Sequence, residues 1–100
     1  MVAIEQLVKE AINNNKVAVF SKSYCPYCSK AKNVFKELGQ EFYVIELDQD
    51  DKGSAIQQYL AQLTGQRTVP NIFINGEHIG GCDSLLAIKS SGKLVKLLNN

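Results

Sequence analysis

One hundred residues suit a single domain and leave no room for two. A hydrophobic fraction of 45% and a charged fraction of 21% describe a globular chain that can bury a core without metal or disulfide staples. The net charge of +1 and the absence of any Lys/Arg run argue against nucleic acid or an acidic membrane as a general partner, and no apolar run reaches the roughly 20 residues of a membrane span.

The opening stretch, MVAIEQLVKEAINNN, has no basic segment leading into an apolar one and no small-residue cleavage site, so a cytoplasmic protein is expected. Ile4, Leu7, Val8, Ala11 and Ile12 recur at helical spacing, which predicts a helix over residues 3–14 ended by Asn13-Asn14-Asn15. Val17-Ala18-Val19-Phe20 is a continuous apolar run, the mark of a strand covered on both faces. Pro26 suits the first position of a helix, where its missing N–H costs nothing. That helix runs over 26–38 with Ala31, Val34, Phe35 and Leu38 on one side and Gly39 as its C-terminal cap. Phe42-Tyr43-Val44-Ile45 follows as a strand, so residues 17–45 make a βαβ unit with parallel strands.

Beyond a polar loop from Asp48 to Gly53, Ile56, Tyr59, Leu60 and Leu63 mark a third helix closed by Gly65. Asn71-Ile72-Phe73-Ile74, the turn Asn75-Gly76 and Glu77-His78-Ile79 read as a hairpin. Gly80-Gly81 breaks its second strand. Asp83 or Ser84 then caps a last helix bearing Leu85, Leu86 and Ile88, which Lys93 to Leu98 extends past Gly92. The order αβαβαββα gives one domain over residues 1–100. That is the order expected of an α/β thioredoxin-like fold, with a four-stranded mixed sheet and helices on both faces.

Three cysteines are too few, and odd in number, for a secreted disulfide framework. Cys25-Pro26-Tyr27-Cys28 falls where a buried strand hands over to a helix. A thiolate is the attacking species in disulfide exchange. A helix start, with its unpaired N–H groups and macrodipole, favours the ionised sulfur of Cys25. Lys22 adds a nearby cation, and Cys28, one turn deeper, can close a small disulfide ring. Structural zinc would need four ligands. The other two candidates, His78 and Cys82, lie around Gly80-Gly81 with none of the usual spacing, so no metal is expected.

Thr68-Val69-Pro70 precedes the hairpin, and its proline belongs at a strand start or edge. The residues alone favour an ordinary trans bond there; a cis bond would turn the Val69 backbone outward to pair with an extended peptide. Gly80-Gly81-Cys82-Asp83 would let a ligand approach the backbone at a helix start, with Asp83 able to hold an ammonium group. Gln57 is expected beside the buried face of the third helix, Tyr59 in the core, and Arg67 and His78 at the surface. Tyr24 and Tyr27 bracket Cys25. Cys82 reads as a small, inert core residue.

Together these residues resemble the dithiol glutaredoxins of the Cys-Pro-Tyr-Cys type over essentially the whole chain. Leu63-Thr64-Gly65-Gln66-Arg67 and Asn75-Gly76 support the match. The thioredoxins are less similar: they carry Trp-Cys-Gly-Pro-Cys, whereas here Tyr24 precedes Cys25 and there is no tryptophan. The resemblance implies a cis Val69-Pro70 bond and a glutathione groove beside the active site. By position, Cys25 is the nucleophile and Cys28 the resolving thiol. Lys22 and Gln57 would meet the glycyl carboxylate. The Val69 backbone, between Thr68 and Pro70, would pair with the cysteinyl part. Gly81 and Cys82 through their backbone, Asp83, and Ser84 beside it, would hold the γ-glutamyl end, and Tyr27 would flank the groove.

The resemblance further implies glutathione as co-substrate, and glutathionylated and disulfide-containing proteins as substrates. Glutathione reductase and NADPH would regenerate the pool. The chain is expected to be a monomer serving electron transport and redox homeostasis. Cys25 alone would clear protein–glutathione mixed disulfides, and Cys25 with Cys28 would reduce protein disulfides. A rival reading is a dimer holding a glutathione-ligated [2Fe–2S] cluster, which the stiffening Pro26 disfavours. A second rival is a non-catalytic interaction module on the same fold.

Overall fold

The continuous apolar run becomes the interior strand of a four-stranded sheet. In the computed structural model, which describes residues 3–100, β1 (Val17–Ser21) is buried at all five positions. Met1 and Val2, where the stretch read for a leader begins, lie outside the described residues. Strand β1 pairs in parallel with β2 (Tyr43–Glu46) and antiparallel with β3 (Asn71–Ile74), which pairs antiparallel with β4 (Glu77–Gly80); the sheet order is β2-β1-β3-β4. The helices are α1 (Ile4–Asn13), α2 (Pro26–Glu37), α3 (Gly53–Thr64), α4 (Cys82–Ser90) and α5 (Lys93–Leu98). None among the described residues is long and apolar enough to cross a membrane.

The two-residue alternation of β1 divides the core. Val17 and Val19 face α2, α4 and α5 with Phe35, Ile72, Ile74, Leu85, Leu94 and Leu98. Ala18 and Phe20 face α1 and α3 with Val8, Ile12, Ile45, Ile56, Leu60 and Phe73. Each large side chain buried this way contributes roughly 1.5–3 kcal/mol, which is why a short sheet suffices to hold five helices. The hairpin turn has φ of 53° at Asn75 and 80° at Gly76, the positive pair that a tight two-residue connection demands.

Four local expectations shift. Strand β2 begins at Tyr43, because Phe42 turns down to pack on Phe35, ring centroids 5.8 Å apart. Helix α4 starts earlier than Asp83 or Ser84 would cap it. Gly81 is the N-cap, and its carbonyl accepts the Leu85 N–H at 3.1 Å. Lys93–Leu98 does not prolong α4: Gly92 stands at φ 83°, a left-handed conformation that ends one helix and re-aims the chain into α5. Tyr59 is half-buried rather than core, and its hydroxyl reaches Glu5 at 3.4 Å. The carbonyls at the end of α5 are covered from the sheet: Lys16 Nζ donates to Leu98 O at 2.8 Å, and Asn75 Nδ2 to Leu97 O at 2.7 Å.

Candidate active site

Strand β1 ends at Ser21, and the turn that follows brings the Cys25 N–H to the Lys22 carbonyl at 3.1 Å. Cys25 is then the N-cap of α2, with extended backbone (φ −85°, ψ 120°), and Pro26 opens the helix. The two thiols so placed differ sharply. Cys25 is half-buried; Cys28, one turn on, is 0% exposed and accepts the Lys22 N–H at 3.5 Å. No disulfide joins any of the three cysteines.

Burial pushes the Cys25 thiol up, but the Cys28 N–H and thiol, the Tyr27 N–H and the Lys22 charge outweigh it and hold the group below its ordinary value. These N–H groups face Sγ without closing a cap hydrogen bond. They act as the positive end of the helix dipole. Burial dominates at Cys28 and raises its thiol, against the Lys22 N–H and the Ser21 hydroxyl; the neighbouring Cys25 raises it further. The pair therefore comprises a half-buried sulfur whose pKa is lowered and a covered one whose pKa is raised.

The Thr68–Pro70 loop closes over this sulfur from β3. The Val69 carbonyl oxygen lies 4.0 Å from Cys25 Sγ, and the Val69-Pro70 bond is cis. The residues alone pointed to trans at this bond and the family resemblance to cis; the latter holds. Gln66 Nε2 donates to Thr68 O at 3.0 Å and to Pro70 O at 2.9 Å. Gln57 Nε2 donates to Arg67 O at 3.0 Å, tying α3 to the same loop.

On the other side, Gly81 and Cys82 open α4. A Cβ placed at Gly81 would lie 3.6 Å from the Pro70 carbonyl oxygen, so the two segments are contiguous. At Gly80 φ is 116° and a Cβ would meet Ser84 Oγ at 3.0 Å, which reserves this turn for glycine. Asp83 is exposed in the first turn of α4. Cys82 is 5% exposed, and burial raises its thiol. Tyr24 and Tyr27, 70% and 61% exposed, stand on either side of Cys25.

The structure thus brings Lys22, Cys25, Cys28, Val69, Pro70, Gly81 and Cys82 together, with Cys28, Pro70 and Cys82 buried beneath the surface that the others form. Gln57 reaches it through Arg67, and Thr68 and Asp83 are exposed at its margins. His78 stays away from Cys25, at the surface as expected, with Nε2 on Asn71 Oδ1 at 2.8 Å and its ring on Phe73. Sequence reasoning missed the contributions of Ser21, Gln66 and the Ser23–Asp48 clasp. In that clasp the Asp48 carboxylate accepts both the backbone N–H and the hydroxyl of Ser23, which steadies the turn before Cys25. Only Gln66 left a trace, as part of a stretch typical of the family.

Residues 17–79 match the family model for glutaredoxin. The chain is 57% identical over 90 residues to Glutaredoxin-C6 of Oryza sativa subsp. japonica, covering 90% of this chain and 80% of that relative. It is 54% identical over 98 residues to Glutaredoxin-1 of Rhizophagus irregularis, covering 98% and 97%. Among solved structures, a buckwheat glutaredoxin–glutathione complex superposes with a TM-score of 0.94 at 52% identity, over 96% of this chain and 87% of that one.

Proposed function

This chain belongs to the glutaredoxin family of thiol–disulfide oxidoreductases, and we propose that it divides glutathione-dependent reduction into two routes between Cys25 and Cys28. The observation that carries the division is the contrast within the pair: an accessible sulfur lowered in pKa and a buried one raised.

In the first route the Cys25 thiolate attacks the glutathione sulfur of a protein–glutathione mixed disulfide. The S–S bond breaks, the protein thiolate leaves and takes up a proton, and Cys25 carries glutathione. The thiolate of a second glutathione attacks that sulfur, so oxidised glutathione departs and Cys25 is again a thiolate. Cys28 takes no part. In the second route Cys25 attacks a protein disulfide and forms a mixed disulfide with one of its sulfurs. The Cys28 thiolate then attacks Cys25 Sγ, the second protein thiol leaves, and Cys25–Cys28 is oxidised. Two molecules of glutathione restore the dithiol, and glutathione reductase with NADPH restores the glutathione.

Electrostatics support this order of events. While Cys25 is an anion it raises the Cys28 thiol. Once Cys25 is tied up in a neutral disulfide, that repulsion ends and Cys28 ionises more readily. The resolving step is thereby delayed until there is something to resolve.

Glutathione carries two carboxylates and one ammonium group. In the proposed pose the glycyl carboxylate meets Lys22 and Gln57. The Val69 backbone pairs with the cysteinyl part beside Sγ, and the α4 start with Asp83 takes the γ-glutamyl end, with Tyr27 at the flank. The buckwheat complex supports glutathione as the ligand of such a groove. We further propose a cytoplasmic monomer, which subcellular fractionation and sedimentation would check.

A glutathione-coupled assay on Cys28→Ser and Cys25→Ser tests the reading. Cys28→Ser keeps reduction of glutathionylated substrates and loses reduction of protein disulfides; Cys25→Ser loses both. Equal losses in the two variants would refute the division. A brown dimer from anaerobic purification would favour the cluster role instead.

A further inference from the structure

Gln66 lies outside the residues assigned to glutathione above, yet its side chain bonds one of the segments that would hold it and lies close to the other. Both hydrogens of its amide are used. Nε2 donates to Thr68 O at 3.0 Å and to Pro70 O at 2.9 Å, the two carbonyls that bracket Val69. Both partners are acceptors, so the amide has one satisfactory orientation. On its other side Gln66 meets the α4 start: a Cβ at Gly81 would lie 3.9 Å from Nε2, and one at Gly80 would lie 3.9 Å from Oε1. The residue is itself anchored. Its backbone N–H donates to Thr64 Oγ1 at 3.0 Å, and that hydroxyl donates to Leu60 O at 2.8 Å in the last turn of α3.

We infer that Gln66 is a positioning residue that fixes the Thr68–Pro70 loop and the Gly80–Gly81 turn relative to each other, so that one tripeptide can engage both at once. This rests on the glutathione cradle proposed above. The physical reason is pre-organisation. A ligand that bridges two segments binds more weakly when it must also order them. The amide fixes the Thr68–Val69 and Pro70–Asn71 peptide planes before any ligand arrives, and it stands between loop and turn. Gln66 touches neither the reacting sulfurs nor the bulk of the core, so its loss should appear in ligand affinity rather than in thiolate chemistry.

The test uses S-methylglutathione, which cannot exchange its blocked sulfur, titrated into the reduced full chain and followed by NMR shifts. Gln66→Leu keeps the volume and removes both donors. The expected result is a roughly fivefold or greater rise in Kd, about the value of one net hydrogen bond. The Cys25 iodoacetamide rate should stay within twofold of the parent's. Gln66→Glu keeps the shape but turns a carboxylate toward two carbonyls, so it should weaken binding more. Protonating that carboxyl at low pH restores one donor, so its deficit relative to the parent should shrink as pH falls. A filler role would not show that dependence.

Binding by Gln66→Leu within twofold of the parent overturns the inference, as does a parallel loss of Cys25 reactivity. Should Gln66→Leu fail to fold, the pH trend of Gln66→Glu decides: a constant deficit overturns it. A parent chain that does not bind S-methylglutathione sinks the cradle itself, and the inference with it.

Discussion

Two helices of this protein start at a cysteine, and the two thiols are shifted in opposite directions. Cys25 caps α2 and Cys82 is the first residue of α4. Each therefore sits in the field of a helix N-terminus. At Cys25 the chain is extended, Sγ stands beside the Val69 carbonyl, and the first-turn N–H groups and Lys22 prevail over burial. Cys82 turns its sulfur inward among Ile72, Leu85 and Leu94, and burial prevails over the Lys30 charge. The lesson is that a helix start favours a thiolate only where solvent still reaches it. A shift of one residue across the cap exchanges a half-buried thiol of lowered pKa for a buried one of raised pKa.

The broadest way to break this comparison is to map alkylation against pH. A lowered pKa means a larger thiolate fraction at a given acid pH, so the Cys25 profile rises first. Cys28 and Cys82, both raised, follow at higher pH. At pH 6 peptide mapping should find Cys25 labelled more than about tenfold faster than either; comparable rates would dissolve the distinction. A smaller effect is expected from Lys22→Glu. Removing the cation and adding an anion raises the Cys25 pKa, so its profile moves to higher pH and the rate at pH 6 falls a few-fold, while Cys82 does not move. A Cys25 profile unchanged by Lys22→Glu would leave the Cys28 and Tyr27 N–H groups and the Cys28 thiol as the cause. Smallest is Cys82→Ala. Exchange activity should persist, and the lost sulfur should cost about 1 kcal/mol through the cavity it leaves. That is a fall of roughly 4–8 °C in Tm for a domain of this size. Lost activity at full stability would make Cys82 a working thiol.

How far such outcomes were legible beforehand depends on the range of the interactions involved. The βαβ unit, the hairpin and the placing of Cys25 at a helix start came from signals a few residues long: Val17–Phe20, Pro26, Asn75-Gly76. Helix α5 could not be read from such signals. Whether Gly92 sits inside a helix or breaks it depends on where Leu94 and Leu98 find a surface to cover, and that surface is assembled from distant strands. The cap of α4 went wrong for a related reason. Asp83 and Ser84 are good cap residues in isolation, but docking Cys82 and Leu85 together requires the helix to start at Gly81. At the site, the sulfurs were visible and their supports were not. The Ser23–Asp48 clasp and the Gln66 bonds join residues that become neighbours only after the strands have paired.

The covering of the α5 carbonyls ties the docking of this helix to the assembly of the sheet. A helix ordinarily leaves its last carbonyls to water; here Lys16, at the entrance of β1, and Asn75, at the hairpin tip, supply the donors. Those two side chains stand together only when β1 and β3 are paired in register, with Val17 opposite Ile74. A sheet slipped by one residue would swap inner for outer faces and leave α5 nowhere to dock. The donors that finish α5 thus depend on the same strand alignment that sets the position of the Cys25 sulfur.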